Sequence, residues 1–115
     1  MPEKGRLGED EAALFLEKKG MRIITRNFRH RSGEIDIIAA DGDTLVFIEV
    51  KTWSVYGIEA LEQGLDKKKQ HRIIETAKYF LSSNRKYRYM AIRFDVVFIA
   101  PRGITHLASA FTERV

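Results

Sequence analysis

Residues 33–51 read GEIDIIAADGDTLVFIEVK, two apolar runs rich in β-formers on either side of an Asp-Gly pair. Runs of this length around a glycine-containing turn make a β-hairpin, and a protein holding one must build a sheet around it. The hairpin carries an anomaly. Glu34, Asp36, Glu49 and Lys51 stand inside the runs, where a core should form. Successive side chains of a strand point to opposite faces. In strand 34–40, Glu34, Asp36 and Ile38 therefore share one face, and Ile35, Ile37 and Ala39 the other. In strand 45–51, Leu45, Phe47, Glu49 and Lys51 share a face against Val46, Ile48 and Val50. A two-residue Asp41-Gly42 loop sets Glu34 opposite Glu49, whereas a four-residue loop over 41–44 sets Asp36 opposite Glu49. Both registers put Asp36, Glu49 and Lys51 on one face. A three-residue loop splits them unless a bulge restores the phase.

Carboxylates brought together repel, and their proximity costs stability unless positive charge compensates. A hard divalent cation does this with oxygen ligands. Asp36 and Glu49 suit Mg²⁺ or Mn²⁺, with the Val50 carbonyl as a third oxygen. Lys51, two residues beyond Glu49, is placed to hold an attacking water or to offset transition-state charge. The plain alternative is a solvated strand face with Glu34 at its edge. Against it, Asp36 and Glu49 lie in strongly apolar runs, where a lone polar group needs a partner.

The rest of the chain fits one domain over residues 1–115. No run of about 18 apolar residues is present, so no membrane span is expected. The start, Met1-Pro2-Glu3-Lys4-Gly5, has no apolar signal region, and a cytoplasmic protein is expected. The absence of cysteine excludes disulfides, thiolate nucleophiles and cysteine-held zinc. Residues from about Gly5 to Lys19 read as a helix with Ala12, Ala13, Leu14, Phe15 and Leu16 in its apolar stripe, stopped by Gly20. Met21 to Phe28 reads as a strand. Residues 52–64 are ambiguous. Asp66 caps a helix running to about Ser82 with Ile73, Ile74, Ala77, Phe80 and Leu81 inward. Residues 91–99 read as a buried strand, followed after Pro101-Arg102-Gly103 by a short strand or turn. Three strands in a meander, then a helical return, allow the fourth strand to run parallel to one of them, giving a mixed α/β sheet with flanking helices.

The net charge of +4 is unevenly spread. Residues 67–93 hold nine Lys/Arg and one acid, Glu75, a net +8, which leaves −4 elsewhere. A basic segment beside acids suggests a polyanion-binding face, the alternative being a solvated basic helix. Lys67, Lys68 and Lys69 occupy the first turn of the second helix, where the dipole disfavours cations but favours phosphate. Lys69 and Gln70 precede Ile73 and Ile74 by one turn, on or near the inward side, and His71 and Arg72 follow. A second basic stretch holds Arg26, Arg29 and Arg31 and leads into Glu34. Glu9 lies at the edge of the first helix's stripe. It either joins the acidic cluster or serves as a helix-start acid, with Glu11 as its substitute. Trp53, Tyr56 and Tyr87 are candidates for base stacking or for partial core packing. Asp95 either pairs with Arg93 across solvent or supports the metal site. His30, His71 and His106 show neither metal-ligand nor triad spacing.

Taken in order, LGEDEAALFLEKKGMRIITRNFR, GEIDIIAADGDTLVFIEVKT, KKKQHRIIETAKYFL and RFDVVFIA resemble the YraN-like uncharacterised protein family of bacteria over nearly the whole chain. The resemblance implies a restriction-endonuclease-like fold in the order α-β-β-β-α-β-β, similar to archaeal Holliday junction resolvases. In that superfamily an Asp and a Glu-x-Lys form the metal and catalytic site, often with a Glu from the first helix. By position these correspond to Asp36, Glu49, Lys51 and Glu9, and the family's Lys-Gln to Lys69 and Gln70. One position departs. The family often has Arg two residues after the motif lysine, and Trp53 stands there, which puts a phosphate contact at that point in doubt. The expected protein is a Mg²⁺- or Mn²⁺-dependent endonuclease acting on DNA ahead of RNA, including branched or structured DNA, with a resolvase-like homodimer as its assembly. The rivals are a non-catalytic nucleic-acid-binding module on the same fold and a protein-interaction domain whose acids serve only in ion pairs.

Overall fold

A computed structural model describes the backbone of residues 2–52 and 66–112, with side chains from Gly8 onward. The order is α1 (Pro2–Lys18), β1 (Arg22–His30), β2 (Gly33–Asp41), β3 (Thr44–Thr52), α2 (Lys67–Ser83), a 3₁₀ turn (Arg85–Tyr87), β4 (Ala91–Ala100) and β5 (Gly103–Phe111). The five strands form one sheet in the order β1-β2-β3-β4-β5. β3 and β4 are parallel and the other pairs antiparallel. Parallel neighbours need a long crossover, and α2 lies within it. Among the described residues, no helix is long and apolar enough to cross a membrane.

The helices cover opposite faces, which is why the middle strands are apolar almost throughout. Ala12, Ala13 and Leu16 of α1 pack on Ile37, Ala39, Val46, Ile48, Val97 and Ile99. Ile73, Ile74, Ala77 and Phe80 of α2 pack on Ile35, Ile38, Leu45, Phe47, Phe94 and Phe111. Asp66 caps α2, its carboxylate accepting from the Lys69 N–H at 2.9 Å. Leu14, placed in the apolar stripe of the first helix by its spacing, is instead 58% exposed. A three-residue run from 14 to 16 is too wide for one packing stripe, and Leu16 takes the inner position. The closing segment, read as a short strand or turn, is a nine-residue strand. The ambiguous residues 52–64 fall outside the described ones, except Thr52, which ends β3.

The β2–β3 register pairs Ile37 with Ile48 and Asp41 with Thr44. This is the register expected of a wider loop, reached with only Gly42 and Asp43 in the turn. Gly42, at φ 60°, takes the first of those turn positions, where primed hairpin turns call for glycine. The ladder ends at Ile37–Ile48. One step further, Asp36 faces Glu49 by register, and Asp36 Oδ2 accepts the Val50 N–H at 2.8 Å instead.

Side-chain alternation also breaks here. Ile35 packs with Ile38 on the α2 side, while Ile37 and Ala39 pack on the α1 side. The expectation that Ile35 shares a face with Ile37 is thereby corrected. The physical reason lies next door on β1. Asn27, which faces Asp36 between the pairs Arg26–Ile37 and Phe28–Ile35, has φ 55°. A left-handed residue in a strand re-aims the side chains around it, and the carboxylate opposite is turned toward β3.

Candidate active site

Asp36 and Glu49 are each 8% exposed, among the few buried charged groups described. Both line a shallow pocket of about 170 Å³ at the end of the hairpin, closed by Lys69, Arg72 and Ile73 of α2 and by Gly33-Glu34. Lys69 Nζ stands 2.8 Å from Glu49 Oε2, and Lys51 Nζ 3.2 Å from the same oxygen. Asp36, Glu49 and Lys51 of the hairpin thus meet Lys69 of the opposing helix.

The charges are strongly perturbed. Burial, and after it the Glu49 charge, pushes the Asp36 carboxyl from 3.8 up to about 7. Glu9 and Glu34 add to the rise, and the Val50 N–H partly opposes it. Burial lowers the Lys51 ammonium, and its neighbour Lys69 lowers it further, with Glu49 pulling the other way. Burial is the largest single influence on Lys69 and lowers it, but the hydrogen bonds to Glu49 and Lys51 and the charges of Glu49 and Asp36 together outweigh it, and its pKa is raised. The Glu49 negative charge is thus held mainly by Lys69, and Lys51 is the lysine closer to giving up its proton.

The donor set can be tested for a divalent cation from this geometry. It offers hard carboxylate oxygens and no soft ligand, which suits Mg²⁺ or Mn²⁺. Burial and the Glu49 charge hold the Asp36 pKa up, and a dication beside the two carboxylates would relieve both. Among the described residues no group of three His, Asp or Glu side chains converges as a ready metal cage, so two carboxylates and backbone oxygen make up the set. Mg²⁺ sites of this sparse kind complete their shell with water and phosphate.

The other predicted residues scatter around this centre. Glu9 has a side chain 19% exposed, and its charge reaches Asp36, but its nearest cation is Arg26, 3.9 Å away. Glu11 is exposed. Arg26 is taken up by acids, with Nη2 2.7 Å from Asp10, and its buried Nε has no hydrogen-bond partner among the described atoms. Arg29 pairs with Glu34 at 2.7 Å. Arg31 and Arg72 are exposed and have no ion-pair partner among the described residues. Lys67 and Lys68 are exposed on the outer turn of α2, and Gln70 lines a separate cleft with Lys67 and His71. Tyr87 is core, 8% exposed and stacked 5.8 Å from Phe80. Trp53 and Tyr56 lie outside the described residues.

Asp95 does something the spacing did not suggest. It is fully buried, takes Arg93 through Nε at 2.9 Å and Nη2 at 3.0 Å, and accepts the Ser109 N–H at 3.0 Å. His106 Nε2 lies 2.7 Å from its other oxygen, and Lys19 Nζ lies 2.7 Å from His106 Nδ1. An ammonium can only donate, so Nδ1 accepts and Nε2–H donates to Asp95. Burial alone raises the Asp95 carboxyl, but Arg93, the Ser109 amide and His106 outweigh it and hold it below the usual range. The pair with Arg93 is therefore one arm of a network centred on buried Asp95 that ties β4 to β5 and, through exposed Lys19, to the turn after α1.

The sequence has relatives that match it over most of its length. The pattern of the uncharacterised protein family UPF0102 matches residues 8–99. A UPF0102 protein of Treponema pallidum is 46% identical over 96% of this chain and 94% of its own. One from Persephonella marina is 43% identical over 94% of this chain and 92% of its own. One from Syntrophus aciditrophicus is 49% identical over 86% of this chain and 79% of its own. The match takes in α1 from Gly8 onward, all of α2, the carboxylate hairpin and most of β4, and the chain belongs to the uncharacterised protein family UPF0102, the YraN family.

Proposed function

We propose that this chain is a divalent-metal-dependent nuclease that hydrolyses phosphodiester bonds in DNA, branched or structured DNA included, in the cytoplasm. The observation that carries the reading is the meeting of buried Asp36 and Glu49 with Lys69 in one pocket, with Lys51 paired to the same Glu49 oxygen. In this reading Asp36, Glu49 and the Val50 carbonyl hold Mg²⁺ or Mn²⁺, and Glu9 completes the acidic side. The bound cation supplies a lowered pKa for water and polarisation of a phosphoryl oxygen. Burial loosens the Lys51 proton, and once that proton has left to solvent the neutral amine orients the attacking water and accepts its proton. Lys69, with the higher pKa, turns from Glu49 to the phosphate and offsets the developing negative charge. Lys67, Lys68, Gln70, Arg72, Arg29 and Arg31 hold the flanking backbone electrostatically. The restriction-endonuclease-like superfamily and a resolvase-like homodimer belong to the same reading.

The test is cleavage of labelled single-stranded, duplex, flapped and four-way-junction DNA, and of matching RNA, with Mg²⁺ or Mn²⁺. Cleavage that needs metal and drops by roughly 100-fold or more in Asp36→Ala and Lys51→Ala supports the nuclease. A second reading has one observation in its favour. Lys51 and Lys69 already neutralise Glu49 without a metal, as in a non-catalytic nucleic-acid-binding module. That module predicts salt-sensitive binding that survives Asp36→Ala, and no cleavage of any substrate.

A further inference from the structure

One aromatic pair lies outside both cores and outside the carboxylate pocket. The rings of His30 and Tyr79 stack with centroids 3.6 Å apart and planes 18° from parallel. Phe28 lies behind them, 6.2 Å from Tyr79, and meets the core edge-on at Phe80. Tyr79 is 41% exposed and neither it nor His30 joins a core cluster. A large aromatic left this open, on a stack already built, has a face to offer.

Its position ties it to the pocket. Ser32 donates to Thr76 Oγ1 at 2.9 Å, and Thr76 donates to the Arg72 carbonyl at 2.8 Å. These bonds seat the β1–β2 turn on α2. The same turn continues through Gly33 and Glu34 into Asp36. On α2, Lys69, Arg72, Thr76 and Tyr79 follow at helical spacing along one stripe. Arg72 lines the pocket, and Tyr79 lies about 10 Å further along the helix axis. Arg31 and Arg72 flank the path, exposed and without ion-pair partners among the described residues.

We propose that His30 and Tyr79 form a stacking platform for an unpaired nucleobase, so that the DNA taken by the pocket has a single-stranded segment beside it. The assignment rests on the nuclease reading for the presence of DNA in the pocket. Its chemistry is that of single-strand recognition, with cations for the phosphates and an aromatic face for the base. A base inside a duplex has both faces covered by its neighbours and reaches such a ring only by leaving the stack. The guanidinium groups of Arg31 and Arg72 favour a polyanion here over an apolar peptide.

The experiment uses single-stranded DNA carrying 2-aminopurine at successive positions, bound to the full chain in EDTA so that nothing is cut. Stacking quenches this base. The expected result is quenching at one position, lost in Tyr79→Leu and His30→Leu and kept in Tyr79→Phe. Single-strand affinity falls roughly tenfold in Tyr79→Leu, with duplex affinity unchanged. Circular dichroism of each variant checks folding, and Tyr79→Phe preserves the ring if Tyr79→Leu fails to fold. Unchanged quenching in a folded Tyr79→Leu, no position-specific quenching in the unaltered protein, or no DNA binding overturns the platform. Position-specific quenching without metal-dependent cleavage leaves the platform and removes the nuclease. Cleavage with quenching unchanged in Tyr79→Leu does the reverse.

Discussion

Lys69 donates to Glu49 across 2.8 Å, joining the first turn of α2 to the end of β3. The ammonium sits on the oxygen that a metal ion at this pocket would use. Lysine and dication therefore compete for Glu49, and a phosphate that draws Lys69 away frees the carboxylate. Lys69→Met is expected to bind Mn²⁺ about fivefold more tightly in the absence of DNA, since a pair of this exposure is worth up to about 1 kcal/mol. Its DNA binding weakens at the same time. Calorimetric titration of the purified variant with Mn²⁺ decides the matter, and weaker metal binding in a folded variant sinks the competition.

The second prediction concerns pH. The Asp36 carboxyl titrates at about 7 in the folded protein because burial and the Glu49 charge disfavour its ionised form, against 3.8 for an unperturbed group. The folded state thus binds this proton more tightly than the unfolded state. Its contribution is fully present below about pH 4 and is lost as pH rises through 7. Asp36→Asn keeps an acceptor for the Val50 N–H but does not ionise. In metal-free buffer the variant is expected to be more stable than the parent at pH 8, by about 2–4 kcal/mol, with the gap closing toward pH 4. Urea denaturation from pH 4 to pH 8.5 measures it. Parallel curves for the two proteins across that range refute the assignment.

Parity made much of this site legible in advance. Glu49 and Lys51 are two residues apart on one strand, and Asp36 stands an odd number of residues before Glu49, so a two- or four-residue loop brings all three to one face. Asp66 before a run of helix-period isoleucines marks the start of α2, and Lys69 follows from it. Three things were hidden. The turn of Asp36 toward β3 depends on Asn27 at φ 55° on another strand, which no local pattern reveals. β5 is an edge strand whose side chains are mostly exposed, so it lacks the apolar alternation that announces a strand. His106 meets Asp95 because it stands opposite Val97 in the β4–β5 ladder, one diagonal step from Asp95, a pairing across strands that the spacing of one strand does not show.

The Asp95 network predicts acid sensitivity of the opposite sign to Asp36. The folded carboxyl lies below its usual range, so its contribution is present above the unfolded pKa and is lost as pH falls through the folded one. Asp95→Asn leaves Arg93 and His106 facing a neutral amide in a fully buried position. A loss of about 1–3 kcal/mol at pH 7 is expected, because the buried carboxylate's charge-assisted hydrogen bonds are lost while Arg93 keeps Asp41 at 3.1 Å. The deficit shrinks on acidification, as the parent also loses its carboxylate. Thermal unfolding followed from pH 7 down to about pH 2 tests both parts. A variant within about 0.5 kcal/mol of the parent at pH 7, the range of an ordinary surface change, removes the network as a stabilising device.

Gly33 joins the β1–β2 turn to the first residue of the carboxylate strand, and it sits at φ 154°. A Cβ there would lie 3.2 Å from Thr76 Oγ1 and 3.3 Å from the Arg72 Cβ. Alanine is therefore opposed twice, by a backbone conformation that suits glycine and by the helix the turn rests on. Relief requires the turn to lift, which breaks the Ser32–Thr76 hydrogen bond and shifts His30 from Tyr79. Gly33→Ala is expected to lose about 1–3 kcal/mol of stability. Thr76→Ser in the same chain keeps the hydroxyl and the close contact and leaves the loss in place. Thr76→Ala in the same chain opens the space but leaves the φ penalty, and recovers part of it. Urea unfolding of Gly33→Ala and of the two double variants separates the backbone term from the contact term. A Gly33→Ala protein as stable as the parent shows that the turn does not bear on α2 as described.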